Sequence, residues 1–135
     1  EFEEVCAAVK DMQFFQKGGK YITVDGHKCY IYAKYDAIKL PMIKDIKTTK
    51  KYTKNKYLST VQHPIYCFTS GADRFEYVIA EWDEYPKIKA VHYEEYMVVD
   101  RTDLEETITI MISQTLERLK DLDLWDTYKE KYCMY

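Results

Sequence analysis

Asp25-Gly26 constrains this chain more than any other pair of residues. Both types tolerate positive φ, and they stand between two runs rich in aromatic and branched side chains, Tyr21-Ile22-Thr23-Val24 and 28–38. That pattern encodes a two-residue hairpin turn. An antiparallel ribbon is therefore expected here, and the flanking segments must pack around it. Before it, Phe2, Val5, Cys6, Val9 and Met12 recur at helical spacing, which predicts a helix over about 1–17 ended by Gly18-Gly19. After it, Pro41 breaks the second strand and 42–47 predicts a short third strand.

The rest of the chain alternates similarly. Tyr57, Leu58, Val61, Ile65 and Phe68 predict a helix over 55–69, with Pro64 kinking it or lying near its start and Gly71 closing it. Residues 75–82 and 88–99 read as strands. Thr102 and Glu105 form a capping-box pattern before a long helix whose apolar side is Leu104, Ile108, Met111, Ile112, Thr115 and Leu119. A last short helix is expected over 124–132. The order αβββαββα predicts an α/β fold, an open mixed β-sheet flanked by helices. No repeat or linker divides the 135 residues, so 1–135 is read as a single domain.

Composition narrows the setting. No run of about 18 apolar residues marks a membrane span. The start lacks the basic and apolar regions of a signal peptide. It also lacks an initiator Met and a cap, so it is read as a fragment or as trimmed at the N-terminus. Cys6, Cys29, Cys67 and Cys133 are dispersed, without the C-x2-C spacing of zinc or iron–sulfur sites. Reduced cysteines in the cytoplasm are the expectation. Net charge is −3, yet Lys44, Lys47, Lys50, Lys51, Lys54 and Lys56 crowd 44–56 with Asp45 the only acid among them. Such a basic edge can hold phosphates even on an acidic protein; equally, it is what a solvated loop looks like.

The chemistry lies close by. Asp45 and Lys47 are two apart on a strand and so project from one face. Asp36 lies one short connection upstream, where an adjacent strand can bring its carboxylate alongside. Two carboxylates meeting one ammonium make sense around a divalent cation. Oxygen donors suit Mg²⁺ or Mn²⁺, with the Ile46 backbone carbonyl as a further ligand. Taken singly, each residue has a plainer reading: a surface ion pair for Asp45 and Lys47, a strand end for Asp36.

The order of the residues is more telling. The text IYAKYDAI, then MIKDIKTTKKY, then QHPIY, carries Asp36, Asp45-x-Lys47 and Gln62-x-x-x-Tyr66 in sequence. It resembles the PD-(D/E)XK nucleases, in particular their RecB-like and phage-type exonuclease branch, over about residues 20–70. The resemblance implies a restriction-endonuclease-like core and a Mg²⁺- or Mn²⁺-dependent DNA nuclease, an exonuclease of phage or bacterial recombination or repair. Asp36 and Asp45 are then metal ligands and Lys47 the catalytic lysine. Gln62 and Tyr66, one helical turn apart, stand beside them.

Lys50, Lys51, Lys54 and Tyr52 are the expected DNA contacts, with Tyr57 a further substrate-facing candidate. DNA is the implied partner, with a recombination or annealing protein or a ring-like homo-oligomer as further options. No membrane partner and no iron–sulfur cluster are expected. The departure from the family pattern is the acid usually carried on the preceding helix: only Glu3 and Glu4 are available, and Glu4 reads as solvated. The alternative is therefore a weak or inactive nuclease-like module that binds DNA or protein. His63 and His92 are selected by no spacing. A plain structural α/β domain is the third reading.

Overall fold

The computed structural model describes residues 2–132; Cys133 lies outside them. The ribbon forms as its turn dictates. β2 (Lys17–Val24) and β3 (His27–Lys34) pair antiparallel from Lys17↔Lys34 to Val24↔His27. Asp25 and Gly26 take φ of 51° and 78°, the left-handed pair such a turn needs.

Around the ribbon the chain departs from its local pattern. The first helix, α1, spans only Phe2–Ala8, because Gln13–Phe14 forms a short strand, β1, on the edge of the main sheet. Gly18 and Gly19 lie inside β2 rather than at a helix end. A Cβ on Gly18 would overlap the Tyr35 hydroxyl, and one on Gly19 the Tyr30 hydroxyl, so both glycines make room for rings. The single strand expected over 28–38 is two. β3 ends at Lys34, and after Tyr35-Asp36 the chain enters a different sheet as β4 (Ala37–Lys39).

That sheet has the order β1-β4-β5-β6-β7, with β5 Met42–Thr49, β6 Arg74–Trp82 and β7 Ile88–Met97. β4–β5 and β6–β7 are antiparallel, while β5–β6 is parallel. The parallel pair requires a crossover, supplied by α2 (Gln62–Ser70). The result is a mixed α/β fold, a five-stranded sheet flanked by helices.

α2 begins later than its apolar spacing predicts. Tyr57 and Leu58 lie in the turns before it, and Pro64 falls in its first turn, where a missing N–H is harmless. Gly71, φ 80°, closes it and donates to Cys67 O at 3.1 Å. Arg101, the first residue of α3 (Arg101–Asp121), donates to Cys67 O at 2.9 Å, to Ala72 O at 2.7 Å and to Gly71 O. It therefore gives Cys67 O a second donor and supplies donors to the carbonyls of Gly71 and Ala72 just past the end of α2. The N-cap of α3 is Asp100, whose side chain accepts from Thr102 N at 2.8 Å, in place of the expected Thr102 box. On its inner side Leu116, not Thr115, joins Leu104 and Ile108 in the core. α4 spans Trp125–Tyr132.

Cross-strand register sorts side chains onto two faces. Ile43, Asp45 and Lys47 share one with Phe75, Tyr77 and Ile79, and with Tyr96, Glu94 and His92. Here α2, α3 and the inner side of the ribbon bury Ile22, Val24, Ala33, Cys67, Phe68, Leu104 and Ile108. On the opposite face a smaller apolar cluster, Val78 and Ala80 against Val5 of α1, sits beside the ion pairs Lys44–Glu76 and Arg74–Glu95. Among the described residues no helix is long and apolar enough to cross a membrane.

Candidate active site

The corner between ribbon and sheet builds the site. Asp36 stands where the chain passes from β3 to β4. The register of β4 stops at Ala37↔Lys44, so the next stretch of β5 lacks a strand partner on that side. The Asp36 carboxylate takes its place, accepting from Ile46 N at 2.9 Å. In a strand a residue's N–H and C=O project to the same side, so the Ile46 carbonyl faces the same open edge.

Asp45 points into the α2 face and is 2% exposed. Its Oδ1 accepts from Gln62 Nε2 at 2.8 Å, and its Oδ2 lies 2.9 Å from Lys47 Nζ. That Oδ2 is buried and has no donor aligned for a hydrogen bond, the Lys47 ammonium being close but poorly directed. Lys47 Nζ also donates to Gln62 Oε1 at 2.7 Å. The Gln62 amide group further donates to Tyr66 OH at 3.2 Å. Burial pushes the Asp45 carboxyl up to about 6; the Lys47 ammonium opposes this and the neighbouring Asp36 carboxylate adds to it.

Asp36, Asp45, Lys47, Gln62 and Tyr66 thus form one connected group, assembled from the β3–β4 corner, β5 and the first turns of α2. The other expectations fare differently. Lys50, Lys51 and Lys54 are exposed on the connection after β5. Tyr52 is half-buried: one ring face stacks on His92 at 3.7 Å, and its hydroxyl donates to Glu94 Oε2 at 2.8 Å. Tyr57 packs 5.4 Å from Tyr77, with Lys47 Nζ 5.8 Å from its ring. Glu4 lies on the opposite face of the sheet, accepting from Tyr93 OH at 2.9 Å, so α1 brings no acid to this corner.

Pattern reading passed over Glu81 and Glu94 here, and named His63 and His92 without giving them a role. Glu94 Oε2 also accepts from Asn55 N at 2.9 Å. Glu81 accepts from Tyr52 N at 2.7 Å and lies 3.2 Å from His92 Nε2. Together they fasten the lysine-rich connection to the sheet. His63 is buried, with Nδ1 2.9 Å from Tyr77 OH, and burial lowers it to about 4.

Among the described residues no three His, Cys, Asp or Glu side chains come together to hold a metal ion. A cation here would therefore rest on two carboxylates, backbone and water. The donor set is hard oxygen, and the undirected, buried Asp45 Oδ2 is an oxygen that such an ion would satisfy.

No family model matches the chain, and no curated protein matches it. Among solved structures it resembles the crystal structure of SSO0001, with a TM-score of 0.54 and 21% identity over 82% of this chain. The match covers 55% of that protein, so this chain spans about half its length. At that identity the likeness concerns the fold.

Proposed function

We propose that the chain is a metal-dependent deoxyribonuclease with a restriction-endonuclease-like core of the PD-(D/E)XK type, acting as an exonuclease in phage or bacterial recombination or repair. The observation that carries this reading is the buried Asp45 carboxylate, held between Lys47 and Gln62 with Asp36 beside it. A surface ion pair has no need of such burial, and a carboxyl pushed up to about 6 is destabilised as an anion until a cation joins it.

Asp36, Asp45 and the Ile46 carbonyl would hold Mg²⁺ or Mn²⁺, which supplies an acidified water and polarises the scissile phosphate. Lys47, fixed from two sides, places a positive charge where the phosphoryl oxygens gain charge. Gln62 keeps Lys47 and Asp45 in register, and Tyr66 orients Gln62. Lys50, Lys51 and Lys54 attract the phosphate backbone.

The test is cleavage of end-labelled DNA in Mn²⁺ and in chelator, by the parent and by Lys47→Ala. Metal-dependent shortening by the parent alone is expected. A folded parent that leaves DNA intact in Mn²⁺ overturns the reading. One observation favours a second: Glu4 faces away from the site, which suits a module that binds DNA without cutting it. That module binds DNA in a salt-sensitive manner and never shortens it.

A further inference from the structure

The ribbon's two faces are used very differently. Its inner side buries Ile22, Val24 and Ala33 against the helices. Its outer side carries Tyr21, Tyr30 and Tyr32, which are 62%, 55% and 56% exposed. Folding does not require three large rings side by side in water, and such a cluster marks an interaction surface.

Charge follows the rings. In the register, Lys17, Lys28 and Lys34 lie on the same outward side as the tyrosines. Lys28 Nζ is 4.6 Å from the centre of the Tyr21 ring, and Lys34 Nζ is 5.3 Å from that of Phe15, itself exposed. Residues 17–34 hold four lysines against one aspartate, a formal +3 in a chain of net −3. That aspartate, Asp25, accepts from Ser113 Oγ at 2.7 Å at the turn. No other acid falls within residues 17–34.

The rings are also pre-arranged. Tyr30 lies across Gly19, whose missing side chain leaves the space, and its ring is 4.8 Å from that of Tyr21 at 49°. Tyr30 and Tyr32 stand on one side of one strand, about 7 Å apart. That is about twice the 3.4 Å rise of a stacked strand. The spacing suits bases splayed from an unpaired strand, whereas a duplex keeps its ring faces covered. The stripe runs along β3 towards Lys34, and Asp36 follows two residues later.

We infer that the outer face of the β2–β3 ribbon binds single-stranded nucleic acid, stacking bases on Tyr21, Tyr30 and Tyr32 while Lys17, Lys28 and Lys34 hold the phosphates. The inference rests on the nuclease reading for the strand's destination, the Asp36–Asp45 corner; binding itself needs no cleavage. Exposed rings supply a surface that is tolerant of sequence, and lysines supply a salt-dependent grip.

The experiment uses the whole chain in chelator, with fluorescein-labelled oligothymidylate and a matching duplex, followed by anisotropy. Tyr30→Ala and Tyr32→Ala are each expected to weaken single-strand binding about tenfold, Tyr30→Phe to keep it, and duplex binding to stay at the parent's level in all three. The substituted rings are exposed, so the fold is expected to survive, as circular dichroism would show. Single-strand binding unchanged in both alanine variants overturns the inference. So does a concentration-dependent self-association of the parent that the same variants abolish, which would make the stripe a contact between copies.

Adding Mn²⁺ separates the two readings. Tyrosine-dependent binding without cleavage removes the nuclease and leaves the ribbon surface standing. Cleavage that persists with parent-like binding in the tyrosine variants does the reverse.

Discussion

Two ends of one sheet face hold carboxylates in opposite ways. Asp45, Tyr77 and Glu94 form a single cross-strand row. At the Asp45 end, burial drives Asp45 up to about 6, with the Lys47 ammonium opposing and the Asp36 carboxylate adding to the shift. At the other end, Glu81 and Glu94 accept from Tyr52 N, Tyr52 OH and Asn55 N, and Glu81 is held below its ordinary value by the Tyr52 N–H and by His92. Each end leaves one buried oxygen without an aligned donor, Asp45 Oδ2 and Glu94 Oε1. The difference therefore lies in the donors. Glu81 and Glu94, given backbone N–H groups by Tyr52 and Asn55, fasten chain to chain. Asp45, given a neighbouring carboxylate and burial, is the one that a cation would relieve under the proposed function.

The sharpest way to break this contrast is Asp45→Asn. Cleavage is expected to fall about a thousandfold or more, while in chelator the variant is expected to be more stable by about 1 kcal/mol, since a disfavoured buried charge is gone and half-exposed Lys47 can turn to water. Thermal unfolding beside the cleavage assay measures both. A loss of stability would make Asp45 the same kind of fastening as Glu81.

His63 probes the middle of the row through Tyr77. Its folded value, about 4, lies below the ordinary 6.5, so the unfolded chain takes up the proton first. The contribution of His63 is then full above pH 6.5, declines as pH falls towards 4, and levels below that, by about 3 kcal/mol at most. Asp45, raised to about 6, contributes in the opposite sense over the same range, so urea unfolding should show the His63 part as the difference between the two profiles, the parent losing more stability, or gaining less, than His63→Gln as pH falls. Identical profiles would mean that burial of His63 costs nothing.

Glu94→Ala should free the lysine-rich connection at a cost of about 2 kcal/mol, with faster tryptic cleavage after Lys50, Lys51, Lys54 and Lys56. Unchanged digestion would show that Glu81 alone suffices. The smallest effect belongs to Lys50→Gln or Lys54→Gln: a few-fold weaker DNA binding, with the salt slope reduced by about one for each lysine.

The sequence carried much of this corner, because its parts are close along the chain. Asp36 to Tyr66 fall within one stretch, and strand parity with a helical turn is enough to align Asp45 with Lys47 and Gln62 with Tyr66. The ribbon was legible for the same reason, since Asp25-Gly26 states its own turn. What failed was non-local. The long first helix ignored a sheet edge waiting for Gln13 and Phe14, and Gly18-Gly19 resembled a helix stop when they were seats for rings of Tyr35 and Tyr30. Nothing local says that the chain changes sheets at Tyr35-Asp36. Glu81 and Glu94 stayed invisible, and His92 without a role, because their meeting with Tyr52 depends on the β6–β7 register. Tyr52 was read as a DNA contact without sight of these partners.

Arg101 has a consequence beyond capping. One guanidinium bonds carbonyls at the end of α2 and at the approach to β6, while its backbone begins α3. Local fraying at that joint must break all of these bonds together. Amide protons in the last turn of α2 and at the start of α3 should therefore exchange with solvent in step, as one cooperative unit, and Arg101→Lys, lacking the fork, should let them exchange separately.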